Sequence, residues 1–243
     1  MRELEGFDAV LFDLDGVITS TAEQHFLAWK QTFDDFLRRR AAHFDERFEP
    51  FQRDDYNRYV DGVPRYDGVR NFLTARRVDL AEGGPHDPPE EDTVHGLGNR
   101  KNDRVNQIIR ERGVEPYEGS VALLHELRRR GVKTAIVSSS RNALTVLEAA
   151  GVAHLFDARV DGEVAAELGL PGKPAPDTFL AAAQRLAVPP ERAVVVEDAL
   201  SGVEAGRNGG FGLVIGVDRV GQAKALRHHG ADLVVSDLAE LVE

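Results

Sequence analysis

Five short runs of apolar and mostly β-branched residues constrain this chain most: Ala9–Phe12, Lys133–Val137, Ala193–Val196, Leu213–Ile215 and Asp232–Val235. Each ends in polar or acidic residues, as strands of a covered parallel sheet do. Helical stretches are predicted between them at Ser120–Arg130, Arg141–Ala150, Pro176–Leu186 and Ala199–Asn208, with Gly131, Gly151 and Gly209 at or near three of their C-terminal ends. Strand alternating with helix predicts an α/β fold, a Rossmann-like doubly wound parallel sheet. The residues between the first run and Ser120 break this pattern. They hold most of the aromatic side chains and show helical spacing without a convincing strand, which predicts a helical insertion. The expected division is residues 1–19 and 117–243 for the sheet core and 20–116 for the inserted helical domain. Within the insertion, Ala22, Phe26, Trp29, Phe33 and Phe36 recur at spacings of three and four, the stripe of a helix facing a bundle core. Glu82–Pro89 is a loop by composition, and a helix is expected from about Asn99 to Arg112.

A chain of 243 residues with 42% hydrophobic content suffices for one ordinary core and a smaller second unit. Its formal charge of −11 argues against binding a nucleic-acid backbone, which calls for clustered positive charge. With no cysteine there is neither a disulfide framework nor a thiolate metal site. No basic leader with a long apolar segment is present, and the apolar runs are too short to span a bilayer. The expectation is a soluble, cytoplasmic monomer that binds neither nucleic acid nor membrane.

The first run leads directly into Asp13-Leu14-Asp15-Gly16, two carboxylates one residue apart at a strand end. In an open parallel sheet such ends border the ligand crevice. An aspartate there can attack a phosphoryl group to form an aspartyl phosphate, but two anions must then approach each other, and a cation is required. Mg²⁺ suits the task, since it takes oxygen ligands through one or two carboxylates plus phosphate oxygens and water. Glu197-Asp198 supplies a second acidic pair after the Ala193–Val196 run. Ser138-Ser139-Ser140-Arg141-Asn142 brings hydroxyls and free amides to a helix start, a cradle for phosphate. Lys173 lies between Gly172 and Pro174-Ala175-Pro176, a stiffened loop that holds its ammonium in one place. Nucleophile, hydroxyl, lysine and acidic pair together make a phosphotransfer set. A receiver-like phosphoacceptor module uses similar residues, but it needs no helical insertion and is about half this length. Each residue also has a bland reading: Glu197 or Asp198 as a helix cap, Lys173 as a surface lysine, His25 and Trp29 as packing, Arg65 and Lys101 as solvated charges.

In this order, Asp-x-Asp-Gly-Val, the serine-ended strand, Gly-Lys-Pro and Glu-Asp resemble the haloacid dehalogenase superfamily over nearly the whole chain. Within it, Phe12–Thr19 with Thr21, Ala22, His25, Ala28, Trp29 and Lys30, then Arg100-Lys101-Asn102-Asp103 and Lys173–Asp177, are similar to the β-phosphoglucomutase group. The resemblance implies a helical cap domain on the sheet core and Mg²⁺-dependent conversion of β-glucose 1-phosphate to glucose 6-phosphate through the 1,6-bisphosphate. A sugar-phosphate phosphatase of the same fold is the alternative. It implies Asp13 as nucleophile, Asp15 as general acid/base, and Mg²⁺ held by Asp13, the Asp15 carbonyl, Glu197 and Asp198. Ser138 and Lys173 would grip the transferring phosphoryl group, with Thr21 and His25 near the acid/base. Gly62-Val63-Pro64-Arg65 is similar to the loop whose arginine takes the sugar's distal phosphate. Trp29, Lys101, Asn102, Ser140, Arg141 and Asn142 fall at the remaining substrate-side positions. The chain departs from the pattern at Asp61, where a lysine is expected, at Ala199, where a serine is usual, and in a longer loop from Glu82 to Thr93.

Overall fold

The computed structural model describes residues 1–242 and divides them into two compact units. The first comprises Met1–Ser20, Gly62–Pro64 and the chain from Val114 onward; the second comprises Thr21–Asp61 and Arg65–Gly113.

The first unit is a six-stranded sheet built from β1 (Ala9–Phe12), β2 (Lys133–Val137), β3 (Ala158–Val160), β4 (Ala193–Glu197), β5 (Leu213–Val217) and β6 (Leu233–Val235). The strand order is β3-β2-β1-β4-β5-β6 and every pairing is parallel. Leu11 lies in register with Ala135 on one side and Val195 on the other, and all four residues of β1 are buried. This explains why the central runs show no polar alternation: both sheet faces are covered. The order reverses at β1, so the crevice bordered by β1 and β4 is where an open α/β sheet binds its ligand.

The second unit is helical, as its spacing predicts: α1 (Ala22–Phe44), α2 (Arg53–Tyr59), α3 (Arg65–Ala75) and α4 (Val94–Arg112). Its core gathers Trp29, Phe33, Phe36, Phe51, Tyr56 and Phe72, with Phe26 partly buried against them. Phe33 is central, its ring centroid 5.0 Å from Trp29 and 4.2 Å from Phe72. Ala22, at the end of the predicted stripe, is only partly covered. Helix α4 begins at Val94, five residues before the expected start near Asn99, and Thr93 Oγ accepts from the Gly96 amide at 2.9 Å. Gly96 and Gly98 lower the helical signal there, yet they serve packing: a Cβ on Gly98 would strike the Tyr66 ring.

Back in the sheet unit lie α5 (Glu118–Arg129), α6 (Ala143–Ala149), α7 (Gly162–Leu168), α8 (Asp177–Leu186), α9 (Leu200–Asn208) and α10 (Ala223–His229). Gly209 is the C-cap of α9, as expected, and the left-handed residue that follows it is Gly210 (φ +68°). Strand β3 and helices α7 and α10 are not among the predicted elements; β3 carries little apolar signal, whereas α7 is marked by Asp161 at its N-cap and a left-handed Gly169 at its end. No helix among the described residues is long and apolar enough to cross a membrane.

Candidate active site

Asp13 follows β1, Ser138 follows β2 and Glu197 closes β4, so three neighbouring strand ends deliver them side by side. The Asp13 amide donates to the Val196 carbonyl at 2.9 Å, which extends the ladder one residue and fixes the direction of the side chain. Lys173 is almost wholly buried. Its ammonium donates to Asp13 Oδ1 at 2.6 Å, to Glu197 Oε1 at 2.6 Å and to the Val137 carbonyl at 3.0 Å. All three donors are thereby used. Burial opposes the charge on Lys173, but the Asp13 and Glu197 carboxylates outweigh it and hold the ammonium's pKa above its ordinary range. Burial likewise raises the Glu197 carboxyl above its ordinary range, with Lys173 restraining the rise and Asp13 adding to it. The second Glu197 oxygen accepts the amides of Asp198 and Ala199, each at 3.0 Å.

Asp13, Glu197 and Asp198 are all buried and each offers a carboxylate oxygen within 4.8 Å of the others. One lysine cannot balance three such carboxylates, and an all-oxygen donor set is the chemistry of a hard divalent cation. Asp15 is partly exposed and begins the turn in which the Gly16 amide donates to the Thr19 carbonyl at 2.8 Å. Gly16 has φ +88°, and a Cβ there would fall on the Asp198 carboxylate, so the two acidic turns touch. In the serine segment two amides of the expected cradle are already taken. The Ser140 amide donates to Ser138 Oγ and the Asn142 amide to Ser140 Oγ, each at 3.1 Å, because short hydroxyl side chains satisfy nearby backbone donors. Arg141 is exposed and Asn142 stands at the N-cap of α6. Gly62, with φ +72°, and the partly buried Val63 belong to the sheet unit, where Ser139 Oγ donates to the Gly62 carbonyl at 2.7 Å.

The helical unit assembles a second group. Thr21 is the buried N-cap of α1, and its carbonyl accepts the His25 amide at 3.0 Å. Lys101, buried on α4, places its ammonium 3.0 Å from His25 Nδ1 and 5.1 Å from the centre of the Trp29 ring system. An ammonium only donates, so Nδ1 accepts and the imidazole is neutral with its proton on Nε2. Burial drives the His25 pKa well below its ordinary value, and the charges of Lys101 and Arg65 push the same way. Trp29 is thus a core residue and also the floor beneath an ammonium. Arg65 opens α3 and Asn102 is partly buried on α4.

Sequence reasoning missed Arg219 and Gln222, which follow β5. Arg219 Nε donates to the Gly16 carbonyl at 2.8 Å and Gln222 Nε2 to the Asp198 carbonyl at 2.9 Å. Their position after a strand end was the only available signal.

A parallel sheet of this order, with an aspartate after β1, a buried lysine and an acidic pair ending β4, defines a phosphoryl-transfer class of α/β enzyme, and the chain belongs to the haloacid dehalogenase-like hydrolase family, whose model matches residues 7–210. It is 50% identical over 238 residues to a β-phosphoglucomutase of Mycobacterium bovis, spanning 96% of this chain and 91% of that protein. A β-phosphoglucomutase of Bacillus subtilis is 35% identical over 235 residues, with the same coverage of 96% and 91%. Among solved structures, a β-phosphoglucomutase from Clostridium difficile matches with a TM-score of 0.73 at 26% identity, over 97% of this chain and 93% of that one.

Proposed function

We propose that the protein is a β-phosphoglucomutase, interconverting β-glucose 1-phosphate and glucose 6-phosphate through an aspartyl phosphate. The observation that carries this reading is the buried Asp13–Lys173–Glu197–Asp198 cluster in a chain half identical to a β-phosphoglucomutase. Asp13, phosphorylated on a carboxylate oxygen, gives its phosphoryl group to the 6-hydroxyl of β-glucose 1-phosphate, and Asp15 takes the hydroxyl proton. The bisphosphate then reorients and returns its C1 phosphoryl group to Asp13, while Asp15 gives the proton to the departing C1 oxygen. Glucose 6-phosphate leaves and the phosphoenzyme is restored. Lys173, already seated on Asp13 Oδ1, holds the nucleophile and offsets charge beside it.

The donor set fits Mg²⁺, with Asp13, the Asp15 carbonyl, Glu197 and Asp198 as the groups that would hold it. When bound, the ion supplies positive charge against the phosphoryl oxygens. Ser138 would bind the transferring group, and Ser140, Arg141 and Asn142 the adjoining substrate positions. From the helical unit, read as the cap, Thr21 and His25 are assigned to the acid/base, Arg65 to the distal phosphate, and Trp29, Lys101 and Asn102 to the sugar; Gly62 and Val63 of the sheet unit are assigned with Arg65. The neutral His25 held by Lys101 supports a polar rather than a charged role for the imidazole.

The test supplies Mg²⁺, β-glucose 1-phosphate and catalytic glucose 1,6-bisphosphate, and measures glucose 6-phosphate and free phosphate together. Glucose 6-phosphate in large excess over phosphate is expected. Phosphate without glucose 6-phosphate would make the protein a sugar-phosphate phosphatase instead. Only about 4 kcal/mol of preference for sugar over water separates a thousandfold partition from none.

A further inference from the structure

We propose that Arg219 and Gln222, on the loop after β5, are positioning residues that hold the backbones of the two acidic turns, Asp15–Gly16 and Glu197–Asp198, at the separation a shared divalent cation needs. The inference rests on the Mg²⁺-dependent reading above.

Arg219 is fixed on several sides. Its Nε donates to the Gly16 carbonyl at 2.8 Å, while Nη1 donates to the Ser236 carbonyl at 3.1 Å and to Asp237 Oδ2 at 3.2 Å. The guanidinium carbon lies 3.7 Å from the centre of the Tyr117 ring. A planar fork held at both ends and stacked on a ring has little freedom to follow a moving carbonyl. The carbonyl it holds belongs to Gly16, whose φ of +88° marks the residue of the turn with the widest conformational choice. Without this bond, Gly16 is free to rotate its following peptide, and the Asp15 carbonyl one peptide earlier shifts with it.

Three residues further on, Gln222 performs the matching task. Its Nε2 donates to the Asp198 carbonyl at 2.9 Å. Asp218 fixes the loop between them, with Oδ1 accepting the Gln222 amide at 2.7 Å and Oδ2 the Ala223 amide at 3.1 Å. One short loop thus holds a backbone carbonyl of each turn. The turns also touch in front, since the Gly16 Cα leaves no room for a Cβ beside the Asp198 carboxylate. Displacement of either turn is therefore transmitted to the other. Both side chains direct their hydrogen bonds at backbone carbonyls of the turns, so their effect is exerted through the ligands.

Isothermal titration of Mg²⁺ into the substrate-free protein tests this, with the wild type, Arg219→Gln, Gln222→Ala and the surface control Arg192→Ala. Arg192 pairs with Asp8, and the two directly precede β4 and β1, at the strand ends opposite those that carry the acidic turns. The expected result is binding weakened about 10- to 100-fold in Arg219→Gln and Gln222→Ala, with unchanged far-ultraviolet circular dichroism and wild-type binding in the control. Turnover of β-glucose 1-phosphate should shift to higher Mg²⁺ in the same two variants and largely recover at saturation. Gln222→Ala removes a single bond from a partly exposed side chain, so it carries the test even where Arg219→Gln fails to fold. Wild-type Mg²⁺ binding with both folded variants inside twofold of it would overturn the positioning role alone. Absence of Mg²⁺ binding in the wild type would overturn the metal reading and this inference with it.

Discussion

Replacing Lys173 by Met removes the ammonium that bridges Asp13 and Glu197, and the structure gives the size of the effect. The ammonium makes bonds of 2.6 Å to each carboxylate and 3.0 Å to the Val137 carbonyl, with its side chain 1% exposed. Methionine fills a similar volume, so packing is largely kept and the change is chiefly electrostatic. The buried carboxylates of Asp13 and Glu197, beside a third from Asp198, then lose the lysine charge between them. Removing one partner of a buried pair costs about 3–5 kcal/mol, because the remaining charge has lost its solvent and its counterion together. For a chain of this size each kcal/mol moves the melting midpoint by roughly 2–4 °C, so metal-free Lys173→Met should melt roughly 6–20 °C below the wild type. The assay is thermal unfolding in chelator, followed by circular dichroism, and repeated with millimolar Mg²⁺. Added Mg²⁺ should raise the variant's midpoint more than the wild type's, since the ion restores positive charge to the cluster. A metal-free midpoint within 2 °C of the wild type (a bound set by roughly 1 kcal/mol on that scale), or no differential response to Mg²⁺, would refute the buried-charge account of this site.

Asp15→Asn should lower kcat by about 10²- to 10⁴-fold while calorimetric Mg²⁺ binding persists, because the backbone carbonyl remains when the acid/base is lost. Gly16→Ala forces a side chain to φ +88° and onto the Asp198 carboxylate, so it should weaken Mg²⁺ binding and destabilise the fold by about 1 kcal/mol or more, measured by calorimetry and melting. His25 has a depressed pKa, so between that value and its ordinary one the unfolded chain binds a proton that the folded chain does not. Stability should therefore rise with pH through that window, by at most about 1.4 kcal/mol per pH unit. His25→Gln keeps an acceptor for Lys101 and should flatten the rise in pH-dependent melts; an unchanged slope would show that His25 is not its source.

Asp13, Ser138, Lys173 and the acidic pair were legible in the sequence because each stands at the end of a strand-like run or in a stiffened loop, where side-chain chemistry is conspicuous. The aromatic stripe of α1 was legible because burial imposes its spacing directly. Strand β3 was not, since three residues with Arg159 at the middle carry too little apolar signal, and its pairing to β2 is a tertiary contact. Helix α4 hid its first turn behind Gly96 and Gly98, where a Cβ would strike the Glu91 carbonyl and the Tyr66 ring respectively. Two of the amides after β2, those of Ser140 and Asn142, are taken by serine hydroxyls, because such bonds depend on local geometry that the sequence does not spell out. Arg219 and Gln222 were beyond reach for a deeper reason: Arg219 grips a backbone carbonyl 203 residues away, and backbone carbonyls have no sequence identity. Lys101 and His25 were each named from the sequence, but their contact across 76 residues was not, since only the folding of α4 against α1 makes it.

The central claim is that phosphate passes through Asp13 to a sugar. The most direct measurement labels the protein with glucose 1,6-bisphosphate carrying radioactive phosphate, in Mg²⁺, then quenches in acid and maps the labelled peptide. The label is expected on Asp13, absent from Asp13→Asn, and chased into glucose 1,6-bisphosphate and glucose 6-phosphate on addition of β-glucose 1-phosphate. Label on another residue, or turnover retained in Asp13→Asn, would contradict the nucleophile assignment, and label released only as inorganic phosphate would contradict the mutase.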